Sequence, residues 1–197
     1  MQLEAFIEQF DYDGSVVLLE GKRNVPDSDA YKLRALSRLL AEKTQFMIFR
    51  SGNAAGADEY FSQGIAAVNA NRLQVITPYE GHRQKHNLAG YTLSLDQNNL
   101  LSESELVYAA KQNTSTAGLV EDFVAGKKNK NTIKAAYILR DTAKVLGYGE
   151  WGPASAGIFF DDLSNPESGG TGHTIALCRH YKIPVFNQNI WFEWVNS

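Results

Sequence analysis

Three short runs in this chain set glycine beside cationic or hydroxyl side chains: Gly21-Lys22-Arg23, Arg50-Ser51-Gly52-Asn53-Ala54-Ala55-Gly56-Ala57-Asp58, and Ser168-Gly169-Gly170-Thr171-Gly172-His173-Thr174. Residues this small let a backbone turn tightly and present its N–H groups to a ligand. A helix starting just beyond adds unpaired first-turn N–H groups and the positive end of its dipole. The chemistry so implied is anion binding, with phosphate the natural guest. Arg23 and Arg50 would add forked positive charge, and Thr171, His173 and Thr174 hydroxyl and imidazole contacts. Taken singly, each run also fits a tight turn with a structural glycine, and the third also fits close packing on a neighbouring strand.

The elements around these runs are those of a parallel sheet. Ser15 to Leu19, Phe46 to Phe49, Leu73 to Ile76, Gly157 to Phe160 and Pro184 to Phe186 are short apolar runs fit for buried strands. Between them lie helical patterns: one opened near Pro26-Asp27-Ser28-Asp29 with Asp or Ser as the cap and Leu33, Leu36, Leu39 and Leu40 as its stripe, another carrying Tyr60, Phe61, Ile65 and Val68. Such alternation predicts a Rossmann-like three-layer α/β fold, a mainly parallel sheet with helices on both faces. Ligands then bind outside the carboxyl ends of the strands, where all three glycine runs would gather.

Residues 78–102 form a polar stretch of weak periodicity, read as a lid or insertion, with Tyr79, His82 and Arg83 placed to touch a ligand. His82 and His86, four apart, could face a metal from one helix. Arg83 and Lys85 intervene and no third ligand is near, so they read as exposed polar residues and no metal is expected. Two extra helices, Glu103 to Ala125 and Thr132 to Leu146, should follow. The lysines at 127, 128, 130 and 134 read as a solvated turn between them. The aromatics of Ile190-Trp191-Phe192-Glu193-Trp194 would dock the tail on the core or on a second subunit of a homo-oligomer.

With 197 residues and 44% hydrophobic content, the chain can bury a core as one domain spanning 1–197. A net charge of −3 and a pI near 5.8 argue against nucleic acid as a partner. The single Cys178 excludes an internal disulfide framework. No run approaches a membrane span, and a cytoplasmic protein without a cofactor is expected.

The three glycine runs, as they stand here, resemble those of the superfamily that joins the DNA-processing protein DprA to the cytokinin-activating LOG proteins, the SLOG fold, and the chain looks closest to its YpsA-like branch. The resemblance spans about residues 15 to 188 and implies a nucleotide or nucleotide-derived ligand. One departure bears on chemistry. LOG enzymes, which cleave the N-glycosidic bond of nucleoside monophosphates, place acidic residues after the third turn, where this chain has Ile175 and Ala176. That leaves Asp58, Glu59 or Glu20 to act as the acid, and Asp58 is best placed, although it could equally cap a helix or hold a ribose hydroxyl. Binding is therefore the leading expectation, ahead of a LOG-like phosphoribohydrolase and of DprA-like single-strand DNA binding. The ligand-binding set is Gly21, Arg23, Arg50, Ser51, Gly52, Asn53, Asp58, Tyr79, His82, Arg83, Gly169, Gly170, Thr171, Gly172, His173 and Thr174.

Overall fold

The computed structural model describes residues 1–97, 103–112, 116–127 and 130–196. In chain order the elements are α1 (Leu3–Phe10), β1 (Val16–Gly21), α2 (Asp27–Lys43), β2 (Ile48–Ser51), α3 (Ala57–Asn69), β3 (Leu73–Thr77), β4 (Tyr91–Ser94), α4 (Ser104–Ala110), α5 (Ala117–Val124), α6 (Lys130–Leu146), β5 (Ala156–Phe160), α7 (Gly169–His180), β6 (Val185–Asn187) and α8 (Gln188–Asn196). The strands form one sheet in the order β4-β3-β2-β1-β5-β6, with every pairing parallel. The Rossmann-like three-layer α/β expectation holds.

Alternation along β1 explains the layers. Val17 and Leu19 face one side, packing with Leu33, Leu36 and Leu40 of α2, Phe61 and Ile65 of α3, and Trp191 and Trp194 of α8. Leu18 faces the other side, with Val145 of α6, Phe159 of β5 and Ile175 of α7. Each such large apolar side chain withdrawn from water contributes about 1.5–3 kcal/mol. The C-terminal aromatics dock on the core: Trp191 and Trp194 are buried, and Trp191 Nε1 donates to Phe159 O at 3.0 Å.

Several boundaries differ from expectation. β2 continues through Arg50 and Ser51 because both side chains find partners inside the protein. Pro26 precedes α2 without any side-chain cap, and Asp27 and Asp29 lie in its first turn, where their charge suits the dipole. The polar stretch after Pro78 contains an edge strand, β4, masked in sequence because Tyr91 and Thr92 are exposed. Residues 98–102 of that stretch lie outside the described residues. The helical segment expected as two pieces has three, with the break after Ala110. Of the four lysines, Lys127 pairs with Asp122 and Lys128 lies outside the described residues.

The chain lays down β1 to β4 in one direction and then returns to place β5 on the opposite side of β1. Strand order therefore reverses between β1 and β5. A crevice opens there at their carboxyl ends, the general ligand position of such sheets.

Candidate functional site

At that crevice α7 begins, and its first turn is left open. Ser168 stands at the N-cap without a side-chain cap, the first turn holds no acidic residue, and Gly169 takes φ +63°, a conformation glycine adopts freely. Two adjoining cavities meet at this helix end. The smaller, of about 270 Å³, is lined by Glu20 to Arg23, Ala54, Asp58, Arg140 and Ser168 to Thr171. The larger, of about 630 Å³, runs between α6 and α7, with Lys134, Tyr137, Asp141 and His173 on its walls. Arg23, Arg140, Gly169 and Gly170 border both. The structure thus gathers Gly21, Arg23, Asp58 and the residues 169–173 around one space.

The second glycine run is already filled. The Asp58 carboxylate accepts from Gly21 N at 3.3 Å, Ser51 Oγ at 3.2 Å, Gly52 N at 3.1 Å and Ala54 N at 3.3 Å, and the residue is only 1% exposed. The anion this turn binds is the protein's own. Asp58 as the catalytic acid is corrected accordingly, because both its oxygens are consumed in holding β1 to the β2–α3 turn. Ser51 and Gly52, expected at the ligand, serve the same purpose. Asn53 takes φ +54° and donates from Nδ2 to the carbonyls of His82 and Arg83, tying this turn to the one after β3.

Arg50 is the second correction. It is fully buried, with Nη1 on Lys144 O at 3.0 Å and Gly152 O at 2.9 Å and with Nε and Nη2 on Gln74 Oε1. Burial lowers its pKa to about 10. Its charge stitches the sheet to the end of α6, and none of it reaches the cavities. Thr174 is likewise internal, its Oγ1 donating to Glu20 Oε1 at 3.0 Å. At Gly172 a Cβ would stand 1.7 Å from Glu167 O, so this glycine is required by close backbone packing.

Beneath the crevice lies a buried charge cluster. Lys144 Nζ bonds Glu20 Oε2 at 2.6 Å and Asp141 Oδ1 at 3.0 Å. Arg140 holds the same Asp141 oxygen through Nη2 and Nε, and donates to Gly52 O at 3.1 Å. Burial pushes the Glu20 carboxyl up to about 7 against the pull of Lys144. For Asp141, burial is outweighed by Arg140 and Lys144, which hold it below the usual range. Burial also opposes the charge of Lys144, but Asp141 and Glu20 raise it. A carboxylate–cation set of this depth is held together by mutual compensation, and removing one member leaves the others uncompensated.

The segment after β3 packs beside the crevice, and Tyr79, His82 and Arg83, expected at the ligand, line neither cavity. His82 is buried between the rings of Tyr79 and Tyr137, with centroids at 5.1 and 5.7 Å, and its Nε2 has no hydrogen-bond partner. Burial, with Arg140, Arg83 and Arg23 nearby, lowers its pKa to about 4, so it is neutral at pH 7. The expectation that His82 is exposed is corrected by this packing. His82 and His86 do not share a helix face, since residues 84–86 form one 3-10 turn and His86 faces Glu59. Arg83 also pairs with Glu59. Tyr79 is exposed. Among the described residues no group of three His, Cys, Asp or Glu could hold a metal, and no helix is long and apolar enough to cross a membrane.

Sequence reasoning missed Arg140, Asp141 and Lys144. Their spacing on α6, with charges at i, i+1 and i+4, reads like a solvated face. Only the alanine-rich run around them, with Ala135, Ala136 and Ala143 buried, hints that this helix is enclosed.

No family model and no curated protein matches this sequence. Among solved structures the backbone is similar, with a TM-score of 0.52 at 15% identity, to DNA processing protein A from Helicobacter pylori, described for its single-stranded DNA binding mode. The fold is that of DNA processing protein A. The likeness covers 89% of this chain but 65% of that one, so this chain spans about two thirds of the DNA processing protein A structure. The likeness is one of fold. It also corrects the expectation that acidity disfavours nucleic acid, because DNA processing protein A, with this fold, is described binding single-stranded DNA. Local charge governs such contacts, and net charge of a whole chain does not report on a crevice bordered by Arg23, Lys134 and Arg140.

Proposed function

We propose that this chain binds a nucleotide or nucleotide-derived ligand at the β1–β5 crevice, its phosphate on the first turn of α7, as a sensor or binding protein of the YpsA-like branch. The observation that carries the reading is the uncapped, acid-free N-terminus of α7 at the switch point of the sheet, opening on a cavity bordered by Arg23 and Arg140. Cytoplasmic nucleotides suit it. The LOG-like hydrolase reading is weaker, since Asp58 is enclosed by four donors and Glu20 by Lys144 and Thr174. Phosphate affinity that is equal in ground and transition state does not speed a chemical step.

A second reading, single-stranded DNA, draws on the shared fold and on Tyr137 and Lys134 side by side on the larger cavity, an aromatic and a cation of the kind that track a strand. Calorimetry and thermal shift with nucleoside mono-, di- and triphosphates, NAD, ADP-ribose and an oligothymidylate separate the two. A nucleotide at a hundred times its Kd stabilises the fold by about 2.7 kcal/mol. Arg23→Ala, on an exposed side chain, is expected to weaken that binding by about 1.5–3 kcal/mol without loss of stability. A response to the oligonucleotide alone selects the second reading, and no response to any of these ligands overturns both.

A further inference from the structure

We infer that Asp141, with His173 beside it, reads the ribose of the bound nucleotide, so that the cleft prefers ribonucleotides to their 2′- and 3′-deoxy counterparts. This deepens the nucleotide-binding reading and rests on it. The two cavities divide the labour. Ala54, Gly21 and Asp58 line only the smaller one, a space of about 270 Å³ against the α7 terminus and suited to phosphate. Asp141, Lys134, Tyr137 and His173 line only the larger, which continues from the same helix end and has room for a nucleoside.

Asp141 is built for one outward hydrogen bond. Its Oδ1 is taken by three N–H donors, from Arg140 twice and from Lys144, at 2.7 to 3.1 Å. Its Oδ2 accepts no hydrogen bond among the described residues and stands 3.4 Å from where a Cβ on Gly170 would be. The free oxygen therefore sits at the first turn of α7, one step from the phosphate position, on the wall of the larger cavity. Arg140 and Lys144 keep the carboxylate ionised, hence an acceptor only. An ionised acceptor on that wall is matched by a donor, and the donors a nucleotide's sugar offers are the ribose hydroxyls. His173 lines the same wall. Burial lowers its pKa, so it stands beside Asp141 as a neutral ring that adds no charge to that wall.

The test is calorimetric titration of the full chain with AMP, 2′-deoxy-AMP, 3′-deoxy-AMP and the corresponding guanine series, with inorganic phosphate as the baseline. The expected result is that a ribonucleotide binds about 10- to 150-fold more tightly than at least one of its deoxy forms, the range for a hydrogen bond to a charged group. Equal affinities across a series overturn the inference while leaving the nucleotide reading intact. No nucleotide binding in either series overturns both. Asp141→Asn should bring ribo and deoxy affinities together, read as their ratio within that variant, because loss of the carboxylate charge also leaves Arg140 and Lys144 uncompensated and alters phosphate affinity itself. Should that variant fail to fold, the ligand series on the unaltered protein still decides.

Discussion

Replacing Asp58 by asparagine changes one atom and one charge, and the structure says where the cost falls. Three donors, Ser51 Oγ, Gly52 N and Ala54 N, converge on Oδ2, and one, Gly21 N, meets Oδ1. The single amide oxygen of the new side chain can replace only one of the two acceptors. If it serves the three, the amide NH₂ confronts the Gly21 N–H, leaving a buried donor unpaired at about 1–3 kcal/mol. The remaining three bonds lose their charge assistance, at about 0.5–1 kcal/mol each. The total is about 2.5–6 kcal/mol, or a drop in Tm of roughly 5 to 24 °C for a chain of this size. Urea unfolding of Asp58→Asn should show a lower midpoint at unchanged slope. Nucleotide affinity, measured well below the midpoint, should change less than about fivefold, because the carboxylate's bonds are internal. If the Asp58→Asn variant is as stable as the parent but has lost ligand binding, the Asp58 carboxylate faces the ligand and the internal-anion argument fails.

Arg50→Ala should destabilise by about 3 kcal/mol or more, since it empties a buried volume and strands the acceptors Gln74 Oε1, Lys144 O and Gly152 O; a stable variant with weakened ligand binding in calorimetry contradicts this. Gly172→Ala should lower the unfolding midpoint because its Cβ would strike Glu167 O, whereas Gly170→Ala, whose Cβ meets only Asp141 Oδ2 at 3.4 Å, should keep stability and weaken nucleotide binding. The folded-state pKa of His82 is depressed to about 4, so below the unfolded value near 6.5 the unfolded chain binds the extra proton and stability falls as pH drops towards 4. Glu20 acts oppositely: its folded pKa near 7 makes the native state the better proton binder, and its contribution is present at low pH and lost as pH rises through 7. The difference in unfolding free energy between parent and His82→Asn isolates the histidine. It should shrink steadily from pH 6.5 to about 4, and a pH-independent difference counts against the assignment.

The sheet was legible because strands buried on both faces announce themselves as runs such as Val16 to Leu19 and Gly157 to Phe160, whose information is local. The glycine runs were legible as turns at the carboxyl edge. Which of their residues face a ligand was not, because the deciding contacts are distant. Arg50 is taken out of the site by carbonyls 94 and 102 positions away, and Thr174 by a carboxylate 154 positions away. Asp58 was misjudged for a different reason. An acid beside a glycine turn satisfies that turn as well as a phosphate would, and only geometry distinguishes host from guest. β4 escaped notice because an edge strand with exposed Tyr91 and Thr92 carries no apolar alternation.

The strand order has a consequence for synthesis. β1 is central, between β2 and β5, yet its β5 partner lies more than 130 positions later in the chain. While the ribosome has delivered only β1 to β4, one long side of Val16–Gly21 has nothing to pair with, and Arg50 lacks the carbonyls of Lys144 and Gly152. A nascent chain in that condition exposes an apolar, unpaired edge of the kind that recruits other chains. The helical segment ending at Leu146 does more than wall the cleft: its emergence, followed by β5, closes this window of vulnerability. Chain yield in the cell should therefore depend on how fast residues 98–160 follow the first four strands.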